Sequence, residues 1–200
     1  MKLLLSFLVM ACALVAAPAF ATPEVGKPAP DFKALDIEGH EIALSALQGK
    51  TIVLEWTNHG CPFVKKHYES GNMQALQKEA TDNGVIWVSI VSSAEGKEGH
   101  IDAAKAKALK EEQGANFTHK ILDASGELGR KYDAKTTPHM FVIDQDGVLV
   151  YAGAIDDNKS AQQDVIPTSK NYVREALNAL KEGKKPETAS TEPYGCSVKY

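Results

Sequence analysis

Long apolar runs and basic clusters are scarce in this 200-residue sequence, and each scarcity excludes a class of protein. Beyond residue 17, no segment approaches the roughly 18 consecutive apolar residues that a membrane-spanning helix needs. No Lys/Arg run carries interleaved aromatic residues, and the net charge is −4 with a pI near 5.9. We therefore expect neither a nucleic-acid-binding surface nor stable insertion of the mature chain in a membrane.

The single long apolar run lies at the N-terminus and predicts a secretory signal. Lys2 precedes an apolar run over residues 3–17, and Ala19-Phe20-Ala21 forms a small-x-small cleavage pattern. We interpret residues 1–21 as a signal peptide, with the mature chain starting near Thr22. Such a chain is exported, and we expect it in the periplasm.

Cysteine is also rare, with three residues in the whole chain. Cys12 could mark a lipoprotein signal, but residues 9–11 (VMA) lack the small residues that such signals need, so we expect no lipid anchor. Signal cleavage then leaves Cys61 and Cys196 in an oxidising compartment. The two thiols either pair with each other or serve chemistry, and their count alone does not decide between these.

Residues 51–67 (TIVLEWTNHGCPFVKKH) predict a strand that ends at Asn58-His59-Gly60 and a helix that begins at Pro62. Cys61 therefore lies at a helix N-terminus, where free N–H groups and the helix dipole favour the thiolate. Lys65 and Lys66 add positive charge one turn later. The alternative is that Cys61 is a small buried apolar residue, as many free cysteines are.

The remaining elements predict one α/β domain over residues 22–183, followed by a polar tail over residues 184–200. An N-terminal hairpin turns around Glu38-Gly39, and a second hairpin turns at residues 144–147 (DQDG). Buried strands alternate with helices between them, and a last helix covers residues 171–181. This order predicts a central sheet of mixed strand direction flanked by helices, with the first hairpin as an extension.

Four motifs carry a resemblance to a known family, in that family's order and across residues 24–182. They are GKPAPDF at residues 26–32, CPFV at residues 61–64, TTPH at residues 136–139 before MFVID, and the DQDG turn. The chain resembles the thioredoxin-like superfamily, specifically its exported peroxiredoxin-like branch, the redoxins related to alkyl hydroperoxide reductase and thiol-specific antioxidant proteins. The resemblance implies a thioredoxin-like fold.

The same resemblance implies that Pro138 is a cis-proline facing Cys61, with the sulfur exposed at the start of its helix. It also implies that Thr137 and Pro138 dock the backbone of a partner, with His139 beside them. A cis X–Pro bond is uncommon, and a proline entering a central strand needs a special reason, so the physics agrees. The alternative is an ordinary trans turn before a strand.

Two departures from the family pattern concern the chemistry. Val64 occupies the place of the second cysteine of a thioredoxin, so dithiol exchange within one Cys-x-x-Cys loop is impossible. Asn58 and Leu54 occupy the places where typical peroxiredoxins carry a threonine or serine and a proline. The peroxidase triad is therefore not reproduced, and peroxidase activity does not carry over.

Glu55 interrupts an apolar strand six residues before Cys61, where thioredoxin also has a buried carboxylate. We interpret it as a candidate proton acceptor for the thiol, with its pKa raised by desolvation. The alternative turns Glu55 toward an edge or a salt bridge.

His59 and His139 bracket the thiol in sequence and could assist proton transfer or stabilise the thiolate. With Cys61 they could instead hold copper or another soft metal, and either histidine could also be solvated and idle. Cys196 could resolve a sulfenic acid or a mixed disulfide on Cys61, because a flexible tail could reach it. The alternative is a structural pairing or an idle tail thiol.

These patterns favour an exported thiol–disulfide oxidoreductase or thiol antioxidant that needs no cofactor. Cys61 would attack a disulfide or a peroxide, with Glu55 and His59 assisting protonation. Partners would be protein or small-molecule thiols and disulfides, and peroxides are a further candidate. The alternative functions are copper binding or delivery through Cys61, His59 and His139, and a catalytically silent interaction module.

Overall fold

The computed structural model describes residues 22–200; the predicted signal peptide, with Cys12, lies outside them. Nine strands lie in the described part, named in chain order. They are β1 (Lys33–Leu35), β2 (Glu41–Ala43), β3 (Ile52–Trp56), β4 (Ile86–Val91), β5 (His119–Leu122), β6 (Thr136–Thr137), β7 (His139–Ile143), β8 (Leu149–Gly153) and β9 (Cys196–Ser197).

A five-stranded sheet forms the centre of the molecule, in the order β5-β4-β3-β7-β8. β3 runs parallel to β4, and β4 runs parallel to β5. β7 runs antiparallel to both β3 and β8. Helices flank this sheet, so the predicted α/β class with a mixed central sheet is confirmed. β1 and β2 form the expected N-terminal hairpin.

Five α-helices lie within residues 22–200: α1 (Pro62–Glu69), α2 (Asn72–Asp82), α3 (Ala103–Gln113), α4 (Glu127–Lys131) and α5 (Tyr172–Lys181). The sequence predicts one helix over residues 62–80, but the structure divides it into α1 and α2. Gly71 adopts a φ of 77° at the break, a left-handed conformation that glycine enters without steric cost. No helix of the described chain is both long and apolar enough to cross a membrane.

The centre of the sheet is buried because β3 carries apolar residues on both of its faces. Val53 packs on one side with Trp87 and Met140, while Leu54 and its neighbours pack on the other. Alternate residues of a strand point to opposite faces, so one short strand contributes to two cores. α1 covers the Val53 side, which places the strand–helix junction at the edge of that core.

The edges of the central sheet are both covered. The N–H of Ile37, in the turn of the first hairpin, donates to the carbonyl of Lys120 in β5 at 2.9 Å. At the opposite edge, the N–H of Ala152 in β8 donates to the carbonyl of Ala189 at 3.2 Å, and the N–H of Thr191 donates to the carbonyl of Ala152 at 3.1 Å.

The C-terminal residues pack against the body, although the sequence predicts a flexible polar tail. β9 pairs antiparallel with β6, which places Cys196 opposite Thr137. Tyr194 is 7% exposed. The hydroxyl of Tyr200 donates to the carbonyl of Ala134 at 2.8 Å. The tail thus carries aromatic anchors that bury area, which its polar composition conceals.

Candidate functional site

Cys61 lies where β3 gives way to α1, as predicted. The side-chain oxygen of Asn58 accepts the N–H of Gly60 at 2.9 Å, and its backbone carbonyl accepts the N–H of Cys61 at 3.0 Å. These two bonds close the loop between strand and helix. Cys61 is the N-cap residue of α1 and Pro62 is its first helical residue. The sulfur therefore lies at the N-terminal end of the helix, where the helix dipole is positive.

Pro138 follows a cis peptide bond from Thr137, as the resemblance implies. The Sγ atom of Cys61 lies 3.1 Å from the carbonyl oxygen of Thr137, to which the thiol donates. The two segments thus meet at the sulfur.

The sulfur is not exposed, which differs from the expectation. Cys61 has an exposed fraction of 0%, and β9 places Cys196 opposite Thr137, whose carbonyl oxygen contacts the sulfur. Cys61 belongs to the hydrophobic core on the α1 side of β3, and the half-buried Cys196 packs against that core. Both cysteines are free thiols.

The two thiols differ in their acidity. Burial raises the pKa of Cys61, but hydrogen bonding by the side chains of Cys196 and Thr137 lowers it. The N–H groups of Cys196 and Val64 lower it further, and the pKa of Cys61 lies below its usual value. Burial and the neighbouring Cys61 raise the pKa of Cys196 to about 12. Cys61 is therefore the more acidic thiol of the pair, and Cys196 is the one that holds its proton more tightly.

Glu55 is fully buried on the α1 side of β3 and accepts three hydrogen bonds. Tyr68 and Trp87 donate to its carboxylate at 2.8 Å each, and Gln77 donates at 3.1 Å. Burial raises its pKa, as expected, while these donors and the charge of Lys120 oppose the rise. Within residues 22–200, no hydrogen bond joins Glu55 to Cys61, so any proton transfer between them needs an intermediate group.

Lys120 is a buried charge that the sequence analysis missed. It is 7% exposed on β5, and its ammonium donates to the hydroxyl of Ser89 at 3.2 Å. Burial lowers its pKa, the carboxylate of Glu55 opposes part of that change, and the resulting pKa is about 8. A lysine within an amphipathic run gives no local sign that it faces inward, so only the tertiary structure locates this group.

His59 lines a groove between α1 and α3 with a volume of about 710 Å³. Its pKa is lowered by burial first and then by the charges of Lys105, Lys120 and Lys65, so the ring is neutral near pH 7. No hydrogen bond or ion pair connects His59 to Cys61 in the described part of the chain.

His139 packs its ring against the ring of Phe141, at a centroid distance of 4.4 Å. It is 6% exposed, and its Nδ1 accepts the N–H of Lys135 at 3.3 Å. Burial, with the charge of Lys135, lowers its pKa to about 3. Residues 22–200 contain no group of three or more His, Cys, Asp or Glu residues that could hold a metal ion. Cys61, His59 and His139 therefore do not form the copper site considered above.

The sequence profile of the Redoxin family matches residues 24–166. The chain belongs to the redoxin family. It is 30% identical to the "Thiol:disulfide interchange protein DsbE" of Yersinia pestis over 152 residues, 74% of each chain. It is 28% identical to the "Thiol-disulfide oxidoreductase ResA" of Bacillus thuringiensis over 127 residues, 64% of this chain and 68% of that one.

Among solved structures, an uncharacterised conserved protein of Geobacillus kaustophilus superposes on this redoxin with a TM-score of 0.73 and 28% identity, covering 88% of this chain and 92% of the other. This likeness supports the thioredoxin-like fold over nearly the whole described chain.

A buried polar cluster beside the redoxin thiol also escaped the sequence analysis. Lys66, expected to add charge near Cys61, instead directs its ammonium to the carboxylate of Asp156 at 3.0 Å. Tyr194 donates its hydroxyl to the same carboxylate. The short motif Tyr194-Gly195-Cys196 was the available signal, since an aromatic residue in a polar tail is a candidate anchor.

Proposed function

We propose that this redoxin is an exported thiol–disulfide oxidoreductase in which Cys61 is the attacking thiol and Cys196 the resolving one. The observation that carries the proposal is the meeting of three groups at one point: the Cys61 sulfur at the start of α1, the cis-Pro138 segment, and Cys196 on β9. The names of the matched relatives, a thiol:disulfide interchange protein and a thiol-disulfide oxidoreductase, support the same reaction class.

The exchange proceeds in two balanced steps. The Cys61 thiolate attacks one sulfur of a partner disulfide, a mixed disulfide forms, and the second partner sulfur leaves as a thiolate that takes up a proton. Cys196 then loses its proton and attacks Cys61, which releases the partner's remaining sulfur as a thiol. The partner gains two electrons and the protein is oxidised to a Cys61–Cys196 disulfide, which an external dithiol must reduce for a second turnover.

This arrangement replaces the Cys-x-x-Cys loop by a cysteine pair drawn from two distant segments. Val64 cannot resolve a mixed disulfide, and Cys196 lies close enough to alter the acidity of Cys61. The difference in acidity suits the two roles, because the better thiolate attacks first and the protonated thiol waits. Thr137 and Pro138 would dock the partner backbone once β9 gives way.

Other expected features remain proposals. Export to the periplasm rests on the pattern of residues 1–21 alone. Proton transfer by Glu55 and His59 would require an intermediate group; an unchanged pH profile of Cys61 alkylation in Glu55→Gln would end that role for Glu55. Peroxide is the less favoured substrate, since Asn58 and Leu54 depart from the peroxidase pattern.

The direct test is turnover of a protein disulfide with a dithiol as the reductant, followed by peptide mapping without reduction. We expect Cys61→Ser to abolish turnover, and Cys196→Ser to accumulate a mixed disulfide between Cys61 and the partner. The control is the unaltered protein. After turnover, its peptide map without reduction should contain a disulfide-linked Cys61–Cys196 peptide. Full turnover in Cys61→Ser would refute the proposal, and consumption of hydrogen peroxide without disulfide turnover would favour the antioxidant function.

A further inference from the structure

Tyr194 ties the tail to the body two residues before Cys196. Its hydroxyl donates to the carboxylate of Asp156 and accepts a hydrogen bond from the ammonium of Lys66 at 3.3 Å. Its ring meets the edge of the Phe63 ring at a centroid distance of 5.8 Å. The side chain is therefore held both by apolar contact and by a charged pair that burial shields from water.

The partners of Tyr194 lie on the elements that build the thiol site. Phe63 and Lys66 are on α1, within the first five residues after Cys61. Asp156 follows β8, and the carbonyl of Asn158 accepts the Lys66 ammonium at 2.9 Å. The anchor thus connects the helix that carries the attacking thiol with the loop beside the tail.

Gly195 sets how closely the tail approaches the cis-proline segment. Its φ is 135°, in the region that side chains rarely adopt. A Cβ atom placed on it would lie 2.1 Å from the carbonyl oxygen of Thr137, the same oxygen that accepts the Cys61 thiol. Any side chain at position 195 would therefore push Cys196 away from Cys61.

We propose that Tyr194, held by the Lys66–Asp156 pair, is a positioning residue that keeps Cys196 against Cys61 and closes the thiol to solvent. Gly195 permits the final approach. The inference rests on the proposed function for the resolving role of Cys196, but its closing role concerns access to Cys61 alone. A tether at Tyr194 raises the local concentration of one thiol at the other.

The test compares Tyr194→Phe with the unaltered chain and with Tyr172→Phe, which removes the hydroxyl of a tyrosine on α5 whose ring stacks on that of Tyr151. The first measurement is the alkylation rate of Cys61 in the fully reduced protein. The second is the equilibrium constant of the Cys61–Cys196 disulfide in a glutathione buffer, where oxidised glutathione takes the two electrons and leaves as two thiols. For Tyr194→Phe we expect alkylation to rise about tenfold and the equilibrium constant to fall about tenfold. Tyr172→Phe should change neither.

A second variant guards against a purely structural effect. Gly195→Ala should raise the alkylation of Cys61 and lower the disulfide equilibrium constant while leaving the Tyr194 contacts in place. Wild-type values in both measurements for Tyr194→Phe would overturn the inference, whatever its effect on global unfolding. If the unaltered chain forms no Cys61–Cys196 disulfide, the proposed resolving role of Cys196 is refuted. The ratio of the Cys61 alkylation rates in Tyr194→Phe and the unaltered chain still decides whether Tyr194 closes the site.

Discussion

The buried pair of Lys66 and Asp156 should respond very differently to loss of one partner and to loss of both. The two side chains are 0% and 4% exposed, and their charged atoms lie 3.0 Å apart. In Asp156→Leu the ammonium of Lys66 would retain only a carbonyl and a hydroxyl as partners. Leaving such a charge uncompensated in the interior costs about 3–5 kcal/mol.

Urea-induced unfolding of Asp156→Leu, Lys66→Met and the double variant measures the free-energy cost of losing one or both members of the pair. We expect each single change to lower the free energy of unfolding by about 3–5 kcal/mol. The double variant should lose far less than the sum, because apolar side chains of similar volume replace a pair whose desolvation offsets its attraction. Transitions that coincide by fluorescence and circular dichroism would establish two-state behaviour.

The matched control is the exposed pair of Lys78 and Asp82 on α2, with a separation of 2.8 Å and side chains 64% and 60% exposed. The corresponding single changes there should cost less than about 1 kcal/mol, since water screens the charges. The reasoning is refuted if the losses at Lys66 and Asp156 are additive, or if they are no larger than those of the control pair.

Three further predictions follow from individual contacts. Cys196→Ala should raise the pKa of Cys61, because it removes the side chain that favours the thiolate; the pH profile of Cys61 alkylation measures this, and a profile moved to lower pH would contradict it. Glu55→Gln should lower the pKa of Lys120 below its value of about 8, since the carboxylate now raises it; an NMR titration of the lysine side chain detects the change, with an exposed lysine as the control. Gly71→Ala should lower the free energy of unfolding by about 1 kcal/mol through backbone strain at a φ of 77°, whereas an unchanged urea midpoint would count against a left-handed residue there.

Most of the central sheet could be predicted because it follows local patterns. Continuous apolar runs indicate β3 and β4, and the DQDG turn indicates the β7–β8 hairpin. The break between α1 and α2 was missed, because a glycine within a helical pattern is often tolerated and only its backbone conformation marks the interruption. Whether a helix or strand forms depends mainly on local sequence, whereas whether a helix continues without a break depends on how the chain packs.

At the thiol site too, local sequence predicts some features and tertiary packing decides the others. The position of Cys61 at the start of α1 follows from the neighbouring residues, and its meeting with Pro138 came from the family resemblance. The sequence left the burial of Cys61 as an open alternative, because burial depends on contacts between distant segments, such as that between Lys66 and Asp156, 90 residues apart in sequence. Composition describes the tail as polar and free, while a few buried side chains decide where it lies.

The covering of both sheet edges gives the tail a second consequence, separate from redox chemistry. An unpaired edge strand offers a row of free N–H and C=O groups to any neighbouring molecule. Residues 189–191 satisfy both groups of Ala152 in β8, and the N–H of Ile37 satisfies the carbonyl of Lys120 in β5. Whatever displaces the C-terminal segment far enough to uncover β8 would also create a surface on which two molecules could join strand to strand, so a long-lived open form would tend to self-associate.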